Sequence, residues 1–497
     1  MANFEQPTSP RSLSFLKLLG LVVGCLAKFV TGSLFVFNVY ADDLKTTFNF
    51  TQKEVELQSS LLNLGLGAGF LPGLLYDNLG PTWTSGAGLV VSVSAYLLLW
   101  STTKYTAFYG RNSWLIAIYF FVCGIGSVFT YMVALNTNII NFHSKHRGLI
   151  VGVLNSFFAG SPSIFSAIYY KGLTGKNRFG DFMLLFAVSF AFVDVLCIIF
   201  LRIFTSQEIT ENVLTIAYTK DESKNLKSSE KYEASYNSNK PVLKTNGSTG
   251  TDEHGFNQNE KQDESESSSE SGVDLLVNNH KGEQLSIKQL LCNANFHLFT
   301  WMFVLAASVG LTLVNNITVI AKSLHLNQYN GSLVLVVPIT TAALSIFIGV
   351  ISDLFKEKIP RMSILVFACA CFVVSQAIIL IFGELYVLLI IGTFLCGLGI
   401  SALWTLCPAV MSELFSLENI GRNWGIAILL AAVVGLIIQL LFGTIYDAHV
   451  VEGTLDCYGM KCINGGIGLA LTAAVLSVSL GVAFIIKNRR NSSYVQM

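Results

Sequence analysis

Charge is what this chain has least of. Of its 497 residues only 12% are Asp, Glu, Lys or Arg, against 52% hydrophobic. The few charges are also badly spread: 24 of the 62 fall between Thr205 and Leu290, leaving 38 for the other 411 residues. That remainder is about 9% charged, roughly a third of the share in a soluble globular protein. A surface so poor in charge cannot face water all round, which excludes a soluble enzyme and a disordered scaffold. No basic patch with interleaved aromatics is present, which removes nucleic acid as a partner. There is no Walker loop and no nucleophile constellation, so an enzyme is not expected. The seven histidines are scattered without metal-ligand spacing, and neither a cofactor nor a structural metal is expected. The apolar runs lack the alternation of barrel strands. The first run also lacks a small-residue cleavage site, which argues against a removed signal peptide.

What remains is an integral membrane protein made of helices. A helical span needs about 20 mostly apolar residues, and runs of that kind form two sets of six. The first set is Leu16–Tyr40, Leu57–Tyr76, Thr82–Trp100, Ser113–Ile140, Leu149–Tyr170 and Phe182–Phe204. The second is His297–Ile320, Gly331–Ile351, Met362–Phe382, Leu385–Met411, Asn423–Tyr446 and Ile467–Ile486. The expected organisation is a cytosolic N-terminus (1–15), a six-helix bundle (16–204), a linker (205–290), a second six-helix bundle (291–487) and a cytosolic tail (488–497). The linker carries a net charge of −6 and runs such as Lys261-Gln-Asp-Glu-Ser-Glu-Ser-Ser-Ser-Glu270. Such composition buries too little apolar area to offset the chain entropy lost on ordering, so a disordered cytosolic tether is expected. With both termini inside, the short inner segments hold eleven Lys and Arg and the outer loops nine, a weak positive-inside bias.

Two motifs repeat. Gly73-Leu-Leu-Tyr-Asp77-Asn-Leu-Gly80-Pro81 follows the second span, and Gly349-Val-Ile-Ser-Asp353-Leu-Phe-Lys-Glu-Lys358 follows the eighth. The same Gly-x-x-x-Asp pattern in corresponding places marks a duplicated architecture. It resembles the cytosolic loop signature of the major facilitator superfamily. The first copy lacks the usual basic residues after its Asp, and the second lacks the second glycine. Finer segments resemble the nodulin-like group: Asn38-Val-Tyr-Ala-Asp-Asp-Leu-Lys45, Arg147-Gly-Leu-Ile-Val-Gly152, Gly310-Leu-Thr-Leu-Val-Asn-Asn316 and the Cys457 to Cys462 pair. The resemblance implies twelve transmembrane helices in two bundles and secondary transport by alternating access. It implies gating roles for Asp77 and Asp353 in loops that also hold Gly73, Gly80, Gly349, Arg147 and Arg422, on the cytosolic side. The group sits near carriers of small organic anions, and relatives are tied to other solutes including iron.

The resemblance also implies that spans 1, 4, 7 and 10 line a central cavity. Each carries a small or polar stripe: Lys28 and Thr31, Ser127 and Tyr131, Thr312, Asn315 and Asn316, and Trp404 with its neighbours. The same stripes would also serve plain helix packing. Lys28 is the sharpest signal, about twelve residues from either end of its span. A charge there costs at least about 2.5–3.5 kcal/mol, so a compensating partner is expected. It either anchors an anionic substrate or pairs with Asp194, the acidic residue deep in span 6, and the pair could couple substrate to protons. The expected function is therefore a carrier of a small, monocarboxylate-like organic anion, acting as a monomer in the bilayer. Alternatives are a carrier of amino acids or of iron or another metal, and a non-transporting sensor or scaffold.

Cys457 and Cys462 lie before span 12 in an outer loop, where a disulfide is permitted. Asn49-Phe-Thr51 and Asn330-Gly-Ser332 are glycosylation sequons in outer loops. The C-terminal Tyr494-Val-Gln-Met497 resembles a tyrosine-based endosomal sorting signal. The plasma membrane or an endosomal, lysosomal or vacuolar membrane is expected.

Overall fold

A computed structural model describes residues 10–173, 175, 177–204, 285–450 and 457–495. The expected linker lies outside the described residues except for its last six, 285–290, as do residues 1–9 and 496–497 of the terminal segments. Among the described residues the regular structure is helical. Eleven helical runs are long and apolar enough to cross a membrane. Ten are single spans: span 1 Ser14–Phe48, span 4 Ser113–Asn141, span 5 Ser144–Gly172, span 6 Arg178–Phe200, span 7 Ala294–Ser323, span 8 Asn327–Leu354, span 9 Arg361–Phe382, span 10 Tyr386–Leu414, span 11 Leu417–Asp447 and span 12 Asn464–Arg489.

The eleventh run, Leu57–Thr102, is 46 residues long and holds spans 2 and 3. It breaks at Gly80, whose φ of 76° lies in the left-handed region that glycine enters without a Cβ penalty. Pro81 then opens span 3 at the helix position that tolerates a missing N–H. Gly124 of span 4 packs against Leu62 and Gly65, and Gly126 packs against Ser92. Residues before and after Gly80 therefore lie at one depth along span 4, and the chain reverses at Gly80. This gives twelve spans, six on each side of the linker.

Local chemistry sets the ends. Thr51 and Glu54 form a reciprocal capping box at the start of span 2, and Asn293 accepts from the N–H groups of Asn295 and Phe296 to start span 7. Span 1 runs further than its apolar stretch suggests. Its helix Pro10–Gly32 passes through a tight 3-10 turn, Ser33–Val36, and continues as Phe37–Phe48. The segment from Asn38 to Lys45, of which only the first three residues fell within the expected span, is thus part of its C-terminal end. Lipid-facing positions carry exposed Leu, Ile, Phe and Val, for example Leu71, Phe192, Phe347 and Ile381. Water would not tolerate such a surface, and lipid does.

Candidate functional site: a buried lysine and two latches

Asp77, Arg147, Asp353 and Arg422 lie on one face of the molecule, here called the latch face. Asp77, at the tip of the span 2–3 hairpin, accepts from Gly421 N at 2.9 Å and Arg422 N at 2.7 Å. These are the first free N–H groups of span 11, where a helix dipole favours an anion. Asp353, at the end of span 8, accepts from Gly148 N at 3.0 Å and Leu149 N at 2.7 Å at the start of span 5. Each aspartate thus reaches from one half of the molecule to the other.

The glycines of the motifs make this reach possible. A Cβ on Gly73 would run into the carbonyl of Gly421, and one on Gly349 into the carbonyl of Gly148. Gly69 meets Gly425, and Gly152 meets Ser345, continuing both seams into the membrane. Further along the span 5–8 seam, Asn155 Nδ2 donates to Ser345 Oγ at 2.8 Å and Ser156 Oγ to the Ala342 carbonyl at 2.6 Å. The latch face is closed.

The opposite face differs. Asn38 in span 1, and Asn315 and Thr318 in span 7, are exposed. Polar side chains are costly against hydrocarbon, so these exposed positions are where that face would meet water. Between these exposed positions and the closed seams lies Lys28, only 2% exposed. Its Nζ sits 3.1 Å from the centre of the Tyr131 ring and 5.6 Å from that of Phe158. A desolvated cation over an aromatic face gains about 2 kcal/mol or more, which offsets much of the cost of leaving it in the membrane. Among the described residues it has no ion-pair partner.

The expected pair with Asp194 is not made. Asp194 is fully buried, accepts from Thr130 Oγ1 at 2.8 Å through Oδ1, and leaves Oδ2 without a partner. Thr130 in turn lies against Gly88 of span 3. Asp194 is therefore held among spans 3, 4 and 6, and the cation–π contact takes the place of the carboxylate at Lys28.

The family model of the Major Facilitator Superfamily matches residues 21–438 and 298–492. The chain belongs to the Major Facilitator Superfamily. It is 23% identical to a protein named "Probable transporter mch1" of Emericella nidulans, over 94% of this chain and 85% of that one. It is 22% identical to the protein of the same name in Neurospora crassa, over 92% of this chain and 86% of that one. Its fold is similar to that of the proton:xylose symporter XylE, with a TM-score of 0.61 and 12% identity over 95% of this chain and 96% of that one. It is also similar to the human organic anion transporter MFSD10, with a TM-score of 0.55 and 15% identity over 95% of this chain and all of that one. The protein is accordingly a multi-pass membrane transporter and not an enzyme.

In this superfamily member the residues expected to line the cavity divide. Tyr131 meets Lys28. Thr31 is one turn along and donates to the Lys28 carbonyl at 3.0 Å. Asn315 is exposed, while Thr312 donates to the Ser308 carbonyl and Asn316 Nδ2 to the Thr312 carbonyl, both within span 7. Ser127 is turned away, donating to the Cys123 carbonyl and lying beside Tyr96 of span 3. Trp404 packs against Trp424 and Phe303, with ring centres 6.2 and 5.5 Å away. Phe158 and Trp424 did not stand out in the sequence because an aromatic in an apolar span has no distinguishing pattern.

Around the latches, the sequence reading also missed Glu413. Arg361 binds Asp353 and Glu413, and Lys356 Nζ lies 2.7 Å from Glu413. Asp353, Lys356 and Arg361 share one short stretch of a charge-poor chain, whereas Glu413, at the end of span 10, is 52 residues from Arg361 and had no sequence signal joining it to them. Arg147 holds the Ser412 carbonyl and hydroxyl at 3.3 Å, and Arg422 Nη2 donates to the Leu285 carbonyl at 2.9 Å.

On the far face Cys457 and Cys462 are joined in a disulfide, with Cα atoms 5.8 Å apart. Gly459 N donates to the Ser323 carbonyl at 2.8 Å, docking this loop on the end of span 7. Asn49 is exposed at a helix end. Asn330 begins the helix of span 8, and its Oδ1 is buried without a partner.

Proposed function

We propose that this transporter carries a small organic monoanion by alternating access, with Lys28 as the charge that receives it. The observation that carries the reading is a mid-span ammonium with no carboxylate partner among the described residues, lying between a closed latch face and exposed polar positions toward the other side. A substrate carboxylate would supply the opposite charge that the protein does not. The latch face is the cytosolic one in this reading, with both termini on it, and the state described is open to the outside or to an organelle lumen. The plasma membrane or an endosomal, lysosomal or vacuolar membrane suits the C-terminal tyrosine signal, and the carrier acts as a monomer.

Asp194 is the site where a proton would enter the cycle. A buried carboxyl with one free oxygen and no counter-charge is the kind of group that carries protons in membrane transporters, so symport with protons is part of the proposal. The resemblance to the nodulin-like group supports the organic-anion class, and the MFSD10 fold shows that a carrier of organic anions fits this architecture. A carrier of amino acids or of iron or another metal, or a sensor that no longer transports, finds less support. A single unopposed cation repels a metal ion and leaves an amino acid's ammonium without a counter-charge. Of the two sequons, Asn49 is the more exposed acceptor and Asn330 is half-buried.

Thermal-shift measurements on detergent-purified protein test the reading. Wild type and Lys28→Ala are mixed with small carboxylates, amino acids, sugars and metal ions at about pH 5.5 and 7.5. A ligand that binds only the folded state raises its melting point. A carboxylate that stabilises wild type and leaves Lys28→Ala unmoved is the expected result. A neutral or cationic ligand that shifts both proteins equally would remove the anion reading.

A further inference from the structure

Resting on that reading of Lys28, we infer that Trp424 is a specificity-determining donor. The anions the site selects are monocarboxylates with an apolar body and a second oxygen beside the carboxylate, as in 2-oxo and 2-hydroxy acids.

Three observations lead there. The first is charge. Among the described residues Lys28 is the one buried Lys or Arg away from the latch face, where Arg147, Arg361 and Arg422 are engaged. One cation balances one carboxylate. A second carboxylate on the same ligand would be left unopposed in a dry site, which is strongly unfavourable.

The second is the wall. Tyr131 and Phe158 come from the first half, and Trp404, Trp424 and Phe303 from the second, with Phe303 and Trp424 ring centres 4.9 Å apart. Such a wall receives an apolar body and gives nothing to a sugar's ring of hydroxyls.

The third is an unused donor. Trp424 is fully buried, yet its Nε1 has no hydrogen-bond partner. It lies near the Tyr131 hydroxyl, while Lys28 covers the face of that same ring. A buried indole N–H ordinarily finds an acceptor. Ammonium and indole N–H, on opposite halves of the protein, thus flank one tyrosine. A carboxylate held by Lys28 would present an oxygen on its neighbouring carbon to Trp424. The bond would form only when both halves close on the ligand, so it would also report that the right ligand is in place.

The test is equilibrium binding to the purified full-length protein of phenylpyruvate, 3-phenylpropanoate and phenylsuccinate. These share a ring and differ in one oxo group or one extra carboxylate. Wild type is expected to bind phenylpyruvate about tenfold tighter than 3-phenylpropanoate, the scale of one buried hydrogen bond, and phenylsuccinate weakest. Trp424→Phe keeps an aromatic ring, smaller by the pyrrole portion of the indole, and removes the donor. It is expected to weaken phenylpyruvate about tenfold more than 3-phenylpropanoate, erasing the preference, and Lys28→Gln to lose all three acids. Equal weakening of both monocarboxylates by Trp424→Phe makes the indole mere packing and overturns the inference, as does a preference that survives it. Wild-type protein that binds no acid while eluting as a single folded species overturns the assigned class. Lys28→Gln that binds like wild type removes the anion-anchor reading itself, a result distinct from any failure at Trp424.

Discussion

Asp77 and Asp353 occupy equivalent places in the two halves and make the same two bonds, each to a pair of N–H groups opening a helix of the other half. Beyond that they differ. Asp353 is also bound by Arg361, which holds Glu413, which in turn holds Lys356. Asp77 has no ion-pair partner among the described residues, and the guanidinium of nearby Arg422 goes to Asn423 and the Leu285 carbonyl instead. A helix N-terminus alone is enough to seat a carboxylate. The charge network adds strength on one side only, so the two latches should release unequally, Asp77 before Asp353.

The largest expected effect is at Asp353→Asn. It weakens two charge-assisted bonds and removes one of the two carboxylates that Arg361 binds, shifting the latch toward open on the order of 100-fold. Spin labels at Lys145 and Lys358, exposed on the two sides of that latch, would read this as a long-distance population. An unchanged distance distribution would deny the latch its role.

Gly73→Ala and Gly349→Ala come next, each costing about 1–3 kcal/mol, because each new Cβ meets a backbone carbonyl. The two should lower the melting temperature equally, since the seams are alike even where the charges are not. Unequal shifts would mean that the halves differ in packing as well.

Asp77→Asn is expected to cost about tenfold in latch closure, the loss of charge on two N–H bonds. In an Arg361→Gln background, Asp353→Asn should fall to that same tenfold. A cycle in which Asp353→Asn costs equally with and without Arg361 would show that the network contributes nothing.

Lys356→Ala is the smallest. Its bridge to Glu413 is about a quarter to a third exposed, so a change below about 1 kcal/mol is expected in melting experiments. A larger loss would place Lys356 with Arg361 as a full member of the latch.

Much of the fold was legible because membrane spans are written in composition. Apolar runs, the repeated Gly-x-x-x-Asp and a charge-rich segment between two halves are one-dimensional signals. Lys28 stood out for the same reason, as a charge where charge is expensive. What surrounds it did not stand out. A carboxylate such as Asp194 is the obvious partner in a sequence, whereas a cation–π contact needs Tyr131 and Phe158 to arrive from two other helices. Ser127 shows the reverse limit: its span brings Tyr131 to Lys28, but the helix rotation turns Ser127 to Tyr96 instead. The extension of span 1 past Tyr40 was hidden because Asp42, Asp43 and Lys45 end the apolar run while the helix continues.

The most direct test joins the site to the latches. With spin labels at Lys145 and Lys358, distances across the latch face are measured before and after adding a small monocarboxylate, in wild type and in Lys28→Gln. The account predicts that the acid populates a longer distance in wild type and leaves Lys28→Gln as it was. A ligand response of equal size in both proteins, or none in a wild type that still takes up the acid, would contradict it.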